Sequence, residues 1–286
     1  MPSRTSPSVR RRILAARLKA LRIAKNVNRK QAADHLGVAE TTITRIENTT
    51  GKATIADVRS LLELYGVTDE GDREFLLQLA RDAGKRDWYQ KHKPVIPPQF
   101  ETFFGLETES EELRSFELGF IPGLLQTADY YRAYLMTAPT AFPETSVDRM
   151  VEFRLARQER MLTADGPRLW MILDEAVLRR PVGGTAVMRD QLAQLRVRRE
   201  SPNLTLQVYP FAAGAHQAMD GSFTIIQFPE KSHTDVVYLE SQTDSRYLEA
   251  EDVVDRYNLV FNHLRANALS TEQTAALLTE TERNIQ

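Results

Sequence analysis

The chain contains no cysteine. Disulfides, thiolate metal sites and a cysteine nucleophile are thereby excluded, and the composition suits a reducing compartment. Long apolar runs are missing too, so no segment is predicted to span a bilayer. The opening stretch, MPSRTSPSVRRR, is basic and polar where a secretory leader would be apolar. The expectation is a cytoplasmic protein with no membrane partner. Neither an internal repeat nor a low-complexity tract is present. Hydrophobic and charged fractions of 42% and 27% are those of an ordinary globular protein, and 286 residues are more than one average core serves. Two domains are expected.

An overall charge of only −2 hides an uneven distribution. Residues 1–66 hold thirteen Lys/Arg against five Asp/Glu, a balance of +8, which leaves −10 for residues 67–286. A basic head on an acidic body suits phosphate binding, because affinity for nucleic acid comes largely from neutralised phosphates. A solvated charge run would read the same on charge alone.

The apolar spacing of Ile13, Leu14, Leu18 and Leu21 predicts a first amphipathic helix over 9–25. Asn28 is placed to cap a second, RKQAADHL, which Gly37 ends. A third runs over 40–47, a fourth starts after Thr54 and breaks at Gly66, and Thr68 could cap a fifth that ends at Gly84. An all-α domain over 1–84 is therefore expected, followed by a proline-rich linker over 85–97, KRDWYQKHKPVIP, and a second domain over 98–286. In that domain helices are predicted at 109–116, 124–136, 147–162, 187–199, 251–268 and 270–282. Strands are predicted at 168–174, 204–211, 222–228 and 235–240. The fold class is thus a five-helix head followed by a larger α+β domain, its first two strands joined by a helical crossover and the later ones able to pair antiparallel.

The stretch 28–47 has what a DNA-reading helix pair needs. Ala33 is small where two helices cross, Gly37 tolerates a left-handed corner, and Val38, Ile43 and Ile46 are expected to point inward. That leaves Glu40, Thr41, Thr42, Thr44 and Arg45 on the outer face, short hydroxyls and one long guanidinium that suit base edges in a major groove.

The run LRIAKNVNRKQAADHLGVAETTITRIEN resembles the Xre/Cro-repressor class of helix-turn-helix domains over residues 9 to about 66. The resemblance implies base contacts from Glu40, Thr41 and Arg45, and phosphate contacts from Arg29 and Asn48. It also implies a buried ion pair between Arg22 and Glu47. Four positions depart from the pattern: Ala39 stands where a capping serine is usual, Asn28-Arg29 replace Ser-Gln, and Thr49 replaces a glycine, with Gly51 arriving two residues late. The last departure bears on the loop that carries Lys52, a further phosphate contact.

No local catalytic constellation joins the polar residues of the second domain, His216, Asp220, His233, Asp235, Asp174 and Glu175. His233-Thr-Asp235 could hold a metal but reads better as a solvated turn; Gly183-Gly184 read as a turn before a helix rather than a phosphate loop. Trp88-Tyr89 and the cluster Tyr130, Tyr131 and Tyr134 could line a partner groove or fill a core. No cofactor and no catalytic residue is assigned. In order, FELGFIPGLLQTADYYRAYL, FRLARQERML, LWMILDEAVLRRPVGG, LTLQVYPFAAGAH and DVVYLES resemble the C-terminal domain of the WhiJ-like regulators of actinobacteria. This implies an antitoxin-like transcriptional regulator that works with a small partner protein encoded nearby. Such a reader is expected to bind an operator in double-stranded DNA, at the nucleoid when bound, and the two-fold operators of this class of reader make a homodimer the expectation. Two alternatives are a ligand-sensing regulator with a small-molecule pocket and an enzyme fused to a DNA-binding head.

Overall fold

A computed structural model describes residues 7–82, 88–138, 142–228, 235–241 and 244–285. The chain divides into two compact units, Met1–Gln90 with Thr102–Glu109, and Lys91–Glu101 with Ser110–Gln286.

The first unit begins with five α-helices: α1 (Pro7–Ala24), α2 (Arg29–Leu36), α3 (Glu40–Glu47), α4 (Ile55–Leu64) and α5 (Glu70–Asp82). Their boundaries follow local chemistry. Asn28 and Gln31 form a reciprocal capping box on α2, as Thr54 and Asp57 do on α4. Gly37 ends α2 at φ 67° and Gly66 follows α4 at φ 69°, left-handed positions that glycine occupies without a Cβ clash. For α5 the expected cap Thr68 is one residue early: the side chain of Asp69 accepts the Asp72 N–H. Leu14, Leu18, Ala32, Ala33, Ile43, Ile46, Val58, Leu61 and Leu62 close one apolar core at the helix crossings.

Beyond these helices lie a 3₁₀ segment (Trp88–Val95) and α6 (Pro98–Glu109). Both were unforeseen, since prolines can open a helix as well as break one, and Pro98 occupies the first turn where its missing N–H costs nothing.

The second unit is built on a six-stranded mixed sheet of order β3-β2-β1-β4-β5-β6. The strands are β1 (Glu112–Glu117), β2 (Arg168–Asp174), β3 (Leu204–Tyr209), β4 (Phe223–Gln227), β5 (Val236–Glu240) and β6 (Ser245–Leu248). β1, β2 and β3 are parallel neighbours, while β4 is antiparallel to β1 and β5 to β4. The helices are α7 (Ala128–Leu135), α8 (Glu144–Met161), α9 (Glu175–Arg179), α10 (Gly184–Arg198), α11 (Glu251–Asn267) and α12 (Thr271–Asn284). α11 covers one sheet face through Phe261 and Leu264, against Phe116, Ile172, Phe223, Ile225 and Val237. α12 packs on α10 and β3.

Two corrections bear on the site. The predicted helix over 109–116 is the end of α6 followed by β1, a central strand, and the short strand β6 had no sequence counterpart. The predicted helix over 124–136 begins only at Ala128, with Thr127 as its cap, because residues 121–127 form a loop held by side chains.

Candidate nucleic-acid interface

The α2–α3 pair is fixed from beneath. Ile43 is 1% and Ile46 5% exposed, Ala33 is buried at the crossing, and the Gly37 N–H reaches back to the carbonyls of Ala33 and Asp34. Val38, expected inward, is 36% exposed; at the rim of the corner it gives its backbone N–H to the Ala33 carbonyl, and the two isoleucines fill the space below.

On the outer side Glu40, Thr41, Arg45, Asn48 and Lys52 are exposed, whereas Thr42 and Thr44 are half-buried. Thr41, Arg45 and Asn48 follow one another at four- and three-residue spacing, so they share a helical stripe. The Thr44 hydroxyl donates to the Glu40 carbonyl one turn earlier and is committed to its own helix. Ala39 caps α3 through no side chain.

Beneath the stripe, Arg22 and Glu47 form the expected pair: Nε donates to Oε1 at 2.5 Å and Nη2 to Oε2 at 3.2 Å. A second cation joins them, since Arg29 Nε donates to Glu47 Oε2 at 3.0 Å. Burial alone would raise the Glu47 carboxyl, but the two guanidiniums hold it below the usual carboxylate range. Burial also pushes the neighbouring Tyr65 hydroxyl up to about 12, with Glu47 adding to the shift. Two arginines against one carboxylate leave a positive charge beside the C-terminus of α3. The Nη groups of Arg29, whose side chain is 37% exposed, are the donors left over from the Glu47 contact. No sequence cue announced this third partner, because it depends on how α2 and α3 cross.

The loop after α3 solves the displaced glycine in an unexpected way. Thr49 itself takes the left-handed conformation at φ 63°. Gly51 instead allows close approach: its N–H donates to the Arg45 carbonyl at 2.8 Å, and a Cβ on it would lie 3.0 Å from the Arg45 Cβ.

In the second unit Asp174, Glu175 and Asp235 make local structural contacts. Asp174 caps α9 through the Ala176 N–H, with His216 Nε2 3.6 Å away; the His216 ring packs on Phe116 and Tyr209. Glu175 binds Arg179 and the Phe211 N–H, Asp235 accepts from Gln227, and Asp220 is exposed. His233 lies outside the described residues. Among the described residues no cluster of three or more His, Asp or Glu could hold a metal ion. Gly183 and Gly184 form the turn that opens α10. Of the tyrosines, Tyr130 is core, its hydroxyl accepting the Ile121 N–H; Tyr134 stacks on Phe120; and Tyr131 lies beneath the Arg154 guanidinium, 3.5 Å from ring centroid to Cζ. Trp88 and Tyr89 meet edge to face.

Sequence reasoning missed a cluster at the carboxyl edge of the sheet. Glu117 ends β1, Glu240 ends β5, and Arg154 and Arg157 lie near them on α8. Burial pushes the Glu117 carboxyl up to about 8; a hydrogen bond from Ser222 opposes that rise and Glu240 adds to it. Burial lowers Arg154, with Arg157 beside it. A signal was present in FRLARQ, two arginines three residues apart on one helical face, but its partners come from strands more than thirty residues away.

Residues 13–76 match a helix-turn-helix domain family, and residues 100–280 match the family described as "Domain of unknown function (DUF5753)". Comparisons with curated proteins and with solved structures returned no match.

Proposed function

The chain belongs to the DUF5753 family and carries a helix-turn-helix domain, and from that premise we propose that it is a sequence-specific DNA-binding transcriptional regulator. The observation that carries the reading is the stripe of Thr41, Arg45 and Asn48, presented by a helix whose two isoleucines are locked in the core. In this reading residues 1–84 are the DNA-binding module. Glu40, Thr41 and Arg45 read base edges, Thr42 and Thr44 flank them, and Arg29, Asn48 and Lys52 hold phosphates. The two-fold operators of this class of reader call for a homodimer, acting at the nucleoid of the cytoplasm.

The resemblance to the WhiJ-like regulators of actinobacteria supports an antitoxin-like role, in which residues 98–286 bind a small protein encoded nearby and change promoter occupancy. We read the chain as a regulator rather than an enzyme. Of the groups that an enzyme would need to converge, Asp174 and Glu175 are engaged in capping and loop contacts. A second regulatory reading, a small-molecule sensor, is favoured by one observation: charged groups of both signs gathered at the carboxyl edge of the sheet.

Genome-wide mapping of bound sites, followed by binding titrations of the full-length protein on a recovered site and on scrambled DNA, tests the main reading. A preference of at least about a thousandfold for the recovered site is expected, with affinity falling steeply as salt rises. Equal affinity for both DNAs would overturn it.

A further inference from the structure

Three charged side chains meet where α1, α2 and α3 come together, and they differ in what each has left to offer. Arg22 is fully committed: Nε and Nη2 donate to Glu47, and Nη1 donates to the Val27 carbonyl at 2.9 Å. Glu47 is enclosed, with 2% of its side chain exposed, and both of its oxygens accept from arginine. Arg29 gives Glu47 only its Nε. Among the described residues its Nη1 and Nη2 have no acceptor, and at 37% exposure, against 10% for Arg22, its side chain is the member of the three that opens to solvent.

The Arg29 side chain is held at both ends. Its backbone is the first residue of α2, beside the reciprocal capping box that Asn28 and Gln31 close. Its far end is fixed by Glu47, the last residue of α3. A free arginine spreads over many rotamers, and a ligand that binds it must first order the chain; here the fold has ordered it beforehand. With Nε occupied, the end-on edge of the guanidinium is the one left open. That edge presents Nη1 and Nη2 as parallel donors, matched to two oxygens of a single phosphate or carboxylate.

Position selects the anion. Asn48 follows Glu47 directly and is exposed, and it ends the outer stripe of Thr41, Arg45 and Asn48. Through its bond to Glu47, Arg29 therefore stands at the C-terminal end of that stripe. The excess of Lys and Arg over Asp and Glu in residues 1–66 favours a polyanion over an isolated carboxylate. The anchor is durable, because the two guanidiniums hold the Glu47 carboxyl below the usual carboxylate range and keep it ionised at neutral pH.

We infer that Glu47 is a positioning residue for DNA: it holds the Arg29 guanidinium so that Nη1 and Nη2 clasp one backbone phosphate end-on at the C-terminal end of the reading helix. The inference rests on the DNA-binding reading and adds to it how one phosphate is held and what that contact sets. Phosphate contacts carry no sequence information of their own, but they fix the register in which base edges are met. Arg29 bridges α2 and α3, so a phosphate fixed on it fixes the depth at which Thr41 and Arg45 enter the groove. A lysine in its place keeps the charge, but its single ammonium on a flexible stem cannot hold Glu47 and two phosphate oxygens in one plane.

The test titrates full-length wild type, Arg29→Lys and Arg29→Gln on a recovered site and on scrambled DNA at several salt concentrations. Glu47 keeps its contacts with Arg22 in both variants, so their melting temperatures should match that of the wild type. Arg29→Lys should weaken binding to the recovered site about tenfold or more, with little change on scrambled DNA and the salt slope retained. Arg29→Gln should also lower the slope by about one for each protomer bound, on both DNAs. Replacing the phosphates of both half-sites in turn by neutral methylphosphonate should reveal one position at which wild type and Arg29→Gln bind alike. An Arg29→Lys protein that binds the recovered site as tightly as the wild type overturns the proposal, as does a phosphate scan in which no position closes the gap. Lower melting temperatures with equal weakening on both DNAs would make Arg29 a structural residue and overturn it too. The regulator reading is decided separately. Wild type that binds both DNAs alike refutes that reading, while the salt slopes of wild type and Arg29→Gln still decide the clasp; absence of any DNA binding refutes both.

Discussion

Arg22 and Glu47 form a two-pronged ion pair joining α1 to α3, with side chains 10% and 2% exposed. Removing one partner of such a pair strands the other charge away from water. Glu47→Gln leaves Arg22 buried without its counter-ion and releases Arg29 as well. We expect a loss of about 3–5 kcal/mol in the stability of the N-terminal unit, measured by chemical denaturation. A loss below about 1 kcal/mol would mean that the pair is dispensable.

Thr49 is a β-branched residue at φ 63°, a conformation that costs a residue other than glycine about 1–2 kcal/mol. Glycine removes the clash but adds freedom to the unfolded chain, worth up to about 1 kcal/mol in the other direction. Thr49→Gly should therefore stabilise the unit by about 0.5–1 kcal/mol, whereas Gly51→Ala, whose Cβ would press on Arg45, should destabilise it. Equilibrium unfolding of the two variants checks both signs.

Arg45 and Lys52 separate reading from holding. Arg45→Ala should cost about 1–3 kcal/mol on the preferred DNA site and much less on scrambled DNA, eroding the ratio between them. Lys52→Ala should weaken both complexes alike and lower the salt slope by about one. Titrations at several salt concentrations distinguish the patterns; an unchanged ratio for Arg45→Ala would remove that residue from the reading set.

The legible parts of the fold were those that short-range chemistry controls. The capping residues Asn28 and Thr54 and the left-handed glycines Gly37 and Gly66 fixed the ends of α2 and α4 in the sequence itself. β1 was not legible, because ELRSFE carries charges that look helical. Glu112 and Arg114 pair with each other along the strand, at 3.0 Å, and Arg114 reaches Asn258 on α11, so their surroundings depend on a helix residue 144 positions later. The carboxyl-edge cluster was hidden for the same reason. The outer stripe of α3 was legible, but the attachment of Arg29 to Glu47 was not, since it comes from the crossing of two helices.

Two carboxyls, buried Glu47 and half-buried Glu117, impose opposite dependences on pH. Glu47 is held below its ordinary value, so its contribution is present at neutral pH and is lost as pH falls through the folded value. Glu117 is raised from 4.5 to about 8, so its folded form keeps a proton that the unfolded chain has released. Its contribution is whole below 4.5, falls as pH rises to about 8, and is flat beyond. Ser222, Glu240 and Arg157 surround it, and Glu240, itself raised by burial, steepens the same trend. Unfolding of the C-terminal unit followed from pH 5 to pH 9 should show stability declining by up to about 1.4 kcal/mol per pH unit for one proton. Glu117→Gln should flatten most of that decline; an identical slope in the variant would locate the proton elsewhere.

Ala39 precedes the reading helix without a side-chain cap, and the first N–H groups of α3 lack the acceptor that Asn28 and Thr54 supply to α2 and α4. The Ala39 carbonyl already accepts the Thr42 N–H at 2.8 Å, so the backbone is in place for a cap and only the side-chain oxygen is lacking. Ala39→Ser should add about 0.5–1 kcal/mol to stability and slow amide exchange at Glu40 to Thr42 in the free protein. A phosphate near the N-terminus of α3 would satisfy the same donors, so in the wild type exchange there should slow when DNA binds. In the serine variant the additional slowing should be smaller, since the side chain has already ordered that turn. Equal slowing in both proteins would show that DNA does not act on these amides.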